Sequence, residues 1–340
     1  MNEYFFNSVN IQGTVWRDSV NATYFMMMQK ISFHLKRKLL IMAFIIAPIG
    51  VVWIFITLVS AVFTTDEKAV DTDEITNYIE KIDNFALQEF NDKRQLVYFV
   101  EAKKYFNFKQ EPALLIDPKI AVYNEKGEKV YILTSKRANY LDNGELKFKG
   151  KVDINAGTGV AYKMNAKELL VNTKTNDLTS QKEIIYLDEH ATVVAQGMSM
   201  KAVEDKIQLI GEISINQDSG QTILTRDLSI DQSNSQKHYY AKSNTTYLAS
   251  GNKIYAQGID MNMRKGLVSL LGKVKILQKS GTTIDTKALI IKQSNNNEIY
   301  QTKEKVHYQS KVANIYAMGM RYDTKAQTIK LTGGVMGRYE

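Results

Sequence analysis

Cysteine is absent from the 340-residue chain, which removes disulfides and thiolate-based metal or redox chemistry together. An exported domain without disulfides has to stand on its own core, and this chain is long enough to build one. Only 3 prolines and 19 glycines occur, so a collagenous or proline-rich chain is excluded. The 4 histidines, His34, His190, His238 and His307, show no zinc-binding spacing, so no metal site is expected. P-loop, nucleophile-elbow and dinucleotide-binding glycine motifs are missing as well. Neighbouring carboxylates such as Asp188 and Glu189, or Glu204 and Asp205, read as turn residues. No catalytic residue and no cofactor are therefore expected, and the chain is not read as an enzyme. Charge of one sign is also scarce. The net charge of +8 includes five basic against two acidic residues before position 65, leaving 39 against 34 in the remainder. Charge spread so thinly forms no nucleic-acid stripe.

What the chain does have is one long apolar run. Leu39 to Phe63, LLIMAFIIAPIGVVWIFITLVSAVF, is 25 residues without a charge. A bilayer needs about 20 apolar residues, so the run predicts a single transmembrane helix in which Pro48 and Gly50 are tolerated. It is much longer than a signal-peptide core and ends Ser60-Ala61-Val62-Phe63, a poor cleavage site, so it reads as an uncleaved anchor. Lys30, Lys36, Arg37 and Lys38 precede it, and Asp66, Glu67, Asp71, Asp73 and Glu74 follow. That asymmetry places residues 1–38 in the cytoplasm and everything after Phe63 beyond the membrane. The first 25 residues carry no usable motif, and Met26, Met27 and Met28 are alternative starts. In the linker 64–94, Ile75, Ile79, Ile82, Ala86 and Phe90 recur at helical spacing and predict a short amphipathic helix.

The rest is repetitive. Leu146-Lys-Phe148-Lys-Gly150-Lys-Val152-Asp-Ile154 returns around Gly211, Gly272 and Gly333, at steps of 61 residues. A second phrase keeps the same step, with Ala195-Gln-Gly197-Met198 matched by Ala256-Gln-Gly258-Ile259 and Ala317-Met-Gly319-Met320. A third, Ala166-Lys-Glu-Leu169-Leu-Val171, recurs more loosely. Apolar residues alternate with polar ones inside each phrase, which is the period of a strand with one buried and one wet face. The central glycine either leaves a gap on the buried face or marks a bend or a close backbone approach. Turn signals such as Asn124 to Gly127, Asp142 to Gly144 and Asn155 to Gly157 separate the runs like hairpins. The expected fold is all-β, an antiparallel sandwich, jelly roll or open roll elongated by the 61-residue repeats; a right-handed β-helix with parallel strands is the main rival.

Leu115-Ile-Asp-Pro118, Val122-Tyr123-Asn124-Glu-Lys-Gly127, Val130 to Tyr140, the phrase around Gly150 and Ala195-Gln-Gly197-Met198 follow the anchor in that order. This arrangement resembles the LptC family, the bitopic component of the lipopolysaccharide export machinery. The resemblance implies a β-jellyroll in the periplasm, anchored in the inner membrane, with a greasy groove for lipid A acyl chains. It implies partners at both ends, the inner-membrane ABC transporter and an LptA-like bridge protein. By position, the groove would be lined by Phe148, Val152, Ile154, Leu169, Val171, Val193, Leu209, Ile213, Val274 and Ile276. Docking edges would involve Leu96, Tyr98, Val100, Ile120 and Val122 at one end and Ile329, Leu331 and Val335 at the other. A typical member would stop near Val203 or Gly211, so 95–215 reads as the LptC-like roll and 216–340 as additional LptA-like repeats. Two other readings stand beside this one: a bitopic scaffold with a closed core that binds only protein, and a tethered carbohydrate-active β-helix enzyme.

Overall fold

The computed structural model describes residues 5–12, 75–157, 162–201, 206–232, 237–294 and 297–339. The expected anchor at 39–63 lies outside them. No helix among the described residues is long and apolar enough to cross a membrane.

Every regular element described is a strand. They begin with β1 (Phe5–Gln12), β2 (Tyr78–Phe90), β3 (Leu96–Phe108), β4 (Ala113–Ile116), β5 (Lys119–Tyr123), β6 (Lys129–Ser135), β7 (Arg137–Tyr140), β8 (Glu145–Ala156) and β9 (Tyr162–Asn172). Next come β10 (Leu178–Ser180), β11 (Ile184–Asp188), β12 (Ala191–Met200), β13 (Lys206–Gln217), β14 (Thr222–Asp231), β15 (His238–Ala241), β16 (Thr245–Ala249) and β17 (Asn252–Ala256). The series closes with β18 (Gly258–Asn262), β19 (Leu267–Leu277), β20 (Thr283–Ser294), β21 (Asn297–Thr302), β22 (Val306–Gln309), β23 (Ala313–Ala317), β24 (Gly319–Asp323) and β25 (Thr328–Tyr339). All pairings are antiparallel, which excludes the β-helix.

The topology is a meander of bent rungs. In β8, Leu146 and Phe148 lie opposite Tyr140 and Ala138 of β7, while Val152 and Ile154 lie opposite Ser135 and Leu133 of β6. Each long strand thus belongs half to one sheet surface and half to another, and pairs such as β10 and β11 are rungs interrupted at the bend. Stacked rungs make two walls that meet along a vertex. The first wall holds β7, β10, β15, β18, β21 and β24; the second holds β6, β11, β16, β17, β22 and β23. One buried apolar cluster runs between them from Tyr98 to Val335. Seventeen rungs separate β2 from β25 inclusively, so at about 4.8 Å per strand this core is roughly 75 Å long.

The repeating glycines make the bend. Gly150, Gly211, Gly272 and Gly333 have φ of +83, +83, +70 and +75°. At the first three, the ladder slips by one residue, between Lys149 and Val152, Leu209 and Glu212, and Leu270 and Lys273. This is a β-bulge, which sharpens a strand's bend and favours glycine in the left-handed region. The two repeated phrases meet here in space. Gln196 Oε1 accepts from the Glu212 N–H at 3.2 Å, and Gln257 Oε1 accepts from the Lys273 N–H at 3.0 Å. The glutamine of one phrase thus caps the bulge of the other, and both keep one period because they form one corner. In the third phrase the strand changes parity at the corner: Ile223 and Thr225 are buried before it, Leu228 and Ile230 after it.

Two expectations need correction. Residues 78–90 form strand β2 and not an amphipathic helix. β2 pairs with β3 along its whole length, from Tyr78 opposite Phe108 to Phe90 opposite Leu96. The turn between them is fixed by Asn91, whose Oδ1 accepts from the N–H groups of Lys93 and Gln95. A 13-residue neighbour with an open row of backbone groups outweighs a weak local periodicity. The helical pattern also left out Tyr78, Phe85 and Leu87. Second, Leu96, Tyr98 and Val100 lie on β3, which has β2 on one side and β4 and β5 on the other. Ile120 and Val122 lie on β5, between β3 and β6. Among the described residues, the outermost strand at this end is β2, which pairs with β3 alone.

At the far end, Ile329, Leu331 and Val335 lie on β25, which pairs with β23 and β24 and, on its other side, with β1. A single crossing at 39–63 would put β1 and β25 on opposite sides of the membrane. That pairing and the expected topology exclude one another.

Candidate functional site

The strand alternation aims one face of every rung into the space between the walls. Phe148, Leu169, Val171 and Leu209 point inward from the first wall; Val152, Ile154, Val193, Ile213, Val274 and Ile276 do so from the second. All ten groove residues expected from sequence share this interior, and none is more than 3% exposed. The walls pack directly on one another through them, so the interior is closed. Met164, Met198, Met200, Met261 and Met320 are buried in it as well; their flexible thioethers adapt to irregular gaps. Two recesses of about 450 and 470 Å³ lie elsewhere, beside the vertex, and are lined among others by Gln257, Lys273 and Asp285 and by Gln196, Glu183 and Glu212. Charged groups at their rims make them poor places for hydrocarbon.

Opposite the vertex, where the turns at the two rung ends meet, the lips of the walls are joined by polar side chains. Tyr131 on the second wall donates to the Asn176 carbonyl at 2.7 Å. Gln232 on the first wall donates to the Tyr186 hydroxyl of the second at 2.7 Å. One period later, Gln293 donates to the Tyr247 hydroxyl at 2.9 Å and to Gln217 Oε1 at 2.8 Å. Two carboxylates sit in this seam. Asp188 accepts from the Tyr239 hydroxyl at 2.5 Å, and Lys237 Nζ lies 3.9 Å away with both side chains buried. Glu298, 3% exposed, accepts from the hydroxyls of Tyr247 and Tyr300 and from Gln221 Nε2. No cation among the described residues lies within ion-pair distance of it.

Burial pushes the phenols of Tyr131, Tyr186, Tyr239, Tyr247 and Tyr300 well above their ordinary range, with a neighbouring carboxylate adding to the effect in each. They stay neutral donors throughout the physiological range. Sequence reasoning named none of these residues. The signal was present, because Tyr186, Tyr247 and Tyr308 step by 61 residues, as do Tyr239 and Tyr300. Tyrosine is common in strands for packing reasons, however, and the spacing alone does not say which rung ends face each other.

The described residues thus form a two-walled antiparallel roll with a continuous apolar interior and a polar seam. Its sequence places it further. The family model "Lipopolysaccharide-assembly, LptC-related" matches residues 40–215 and again 272–340, and the chain belongs to that family. No curated protein matches it. Membership implies a role in lipopolysaccharide transport as a transport component, in a family anchored at the inner membrane and working in the periplasm.

Proposed function

We propose that the roll takes the acyl chains of lipopolysaccharide between its walls and passes the lipid from the inner-membrane ABC transporter toward a periplasmic LptA-like bridge protein. The observation that carries this is the apolar interior that continues through every rung from β3 to β25. Each CH₂ removed from water contributes about 0.8 kcal/mol, so a lipid with several chains needs apolar cover along its whole route. A row of separate pockets would strand it. Direction comes from ATP hydrolysis in the transporter.

In this reading residues 39–63 anchor the chain with its N-terminus cytoplasmic, 95–215 form the first module, and 216–340 are further repeats that lengthen the path. The family match, which stops at 215 and resumes at 272, supports such a division. The transporter meets the β2 end and the bridge protein meets the β25 edge around Ile329, Leu331 and Val335. The single crossing requires β1 to leave β25, whose edge it covers in the structure, and that edge then takes the partner's strand by strand addition.

One observation favours a second reading. The walls already touch, as expected of a bitopic scaffold with a closed core that binds only protein. Photocrosslinking in cells making lipopolysaccharide separates the two, with probes at inward Ile213 and Val274 and at their outward neighbours Glu212 and Lys273. Adducts confined to the inward pair are expected. No lipid at any of the four positions, in an expressed and anchored protein, would leave the scaffold standing.

A further inference from the structure

We propose that the interior is reached sideways, by parting the walls along the polar seam, and that the seam gives way first around Glu298. This rests on the conduit reading above and says where the conduit opens.

The seam is built differently from the vertex. At the vertex the backbone ladder runs through every long strand, so the walls are covalently continuous there. Among the described residues no strand crosses at the lips, and the walls are joined there by side-chain hydrogen bonds together with the Lys237–Asp188 ion pair. The fastenings repeat. Gln232 to Tyr186 is matched by Gln293 to Tyr247. The charged groups beside this pair do not repeat: one period after Asp188 stands Ala249, and Tyr300 donates to Glu298 within their own strand β21. The position that holds Lys237 against Asp188 in one unit is Glu298 in the next. Asp188 has a cation, the Tyr239 hydroxyl and the N–H groups of His190 and Ala191. Glu298 has three neutral donors only.

A carboxylate held out of water without a cation is poorly compensated, and hydration restores what burial removed. Opening the lips at Glu298 hydrates that charge and frees Tyr247, Gln221 and Gln293 to bond with water or with the polar end of an entering amphiphile. Opening at Asp188 must also separate a buried ion pair. The apolar faces behind the lips lose contact in both cases, and acyl chains entering between them replace it.

The test uses the chain's lack of cysteine. Lys265 and Lys279 are exposed and stand in the turns at the two ends of β19, on opposite lips of one rung. The full-length Lys265→Cys, Lys279→Cys protein carries a photoprobe at Leu209 and is bridged with a bismaleimide in lipopolysaccharide-producing cells. Bridging is expected to lower the adduct yield at Leu209 about tenfold, with no loss in either single-cysteine protein treated alike. Undiminished adducts in the bridged protein would overturn sideways entry and leave the conduit reading intact. Absent adducts without any bridge would overturn both. Glu298→Gln, which keeps the shape and removes the charge, is expected to lower the yield about threefold; an equal or higher yield would overturn Glu298 as the opening point.

Discussion

Gly272 and Gly281 both sit at positive φ, +70 and +86°, yet they do different work. A Cβ on Gly281 meets nothing within 4 Å, whereas one on Gly272 would lie 2.9 Å from the Cβ of Gln257. Gly281→Ala therefore carries backbone strain alone, about 1 kcal/mol. Gly272→Ala adds displacement of the glutamine that caps the bulge, for a total of about 2–4 kcal/mol. Denaturant unfolding of the two variants measures the difference, and equal losses would mean that Gln257 is not held by the corner. Residues of this kind are legible in sequence because their constraint is local: glycine recurs where the strand must bend. The inward aliphatics were legible too, since alternation is a backbone property. The carboxylates of the seam were not. Asp188 reads as a turn residue and does accept from the N–H groups of His190 and Ala191. Its second role, across the lips to Tyr239 and Lys237, depends on residues about 50 positions away in the other wall.

β2 shows the same limit one level up. Its apolar residues are spaced so that a helix accounts for four of them, Ile79, Ile82, Ala86 and Phe90, and its strand identity comes from β3. In the structure only Ile82 and Phe85 of the strand are half-buried, Phe85 by stacking on Tyr105 at 4.7 Å between ring centres, while Tyr78, Ile79, Leu87 and Phe90 are exposed. An outermost strand that buries so little adds little to global stability. Ala86→Pro, which interrupts the β2 ladder opposite Glu101, is expected to shift unfolding by less than about 1 kcal/mol. Ala121→Pro on β5, buried and paired on both sides, is expected to lose about 3 kcal/mol or more. If the transporter adds to this end, Ala86→Pro also abolishes co-purification with it while the roll stays folded. Comparable destabilisation by both prolines would make β2 a structural strand and remove it as the docking edge.

At the scale of the whole roll, the period of 61 residues corresponds to four rungs, and the registers repeat with it: Ile207 opposite Ile230 and Ile215 opposite Ile223 become Val268 opposite Ile291 and Ile276 opposite Ile284. Each unit contacts its neighbours along one axis, so a whole unit should be removable. Deleting residues 217–277 joins Asn216 to Gln278, and Gln278 begins the same turn as Gln217, with the Gly281 N–H donating to its carbonyl as Gly220 does to that of Gln217. The shortened roll is expected to fold and to lose roughly 19 Å of length by small-angle scattering. Its seam, however, would set Glu298 in the place of Lys237 against Asp188, two buried carboxylates where an ion pair stood. Adding Glu298→Lys to the deletion restores the pair and is expected to raise stability by about 3 kcal/mol. A deletion protein that does not fold in either form would show that the period is not an independent unit of the roll. One that folds equally well with Glu298 or Lys at that position would show that the two fastenings are not equivalent, and would take from the seam the repeat on which its opening order is argued.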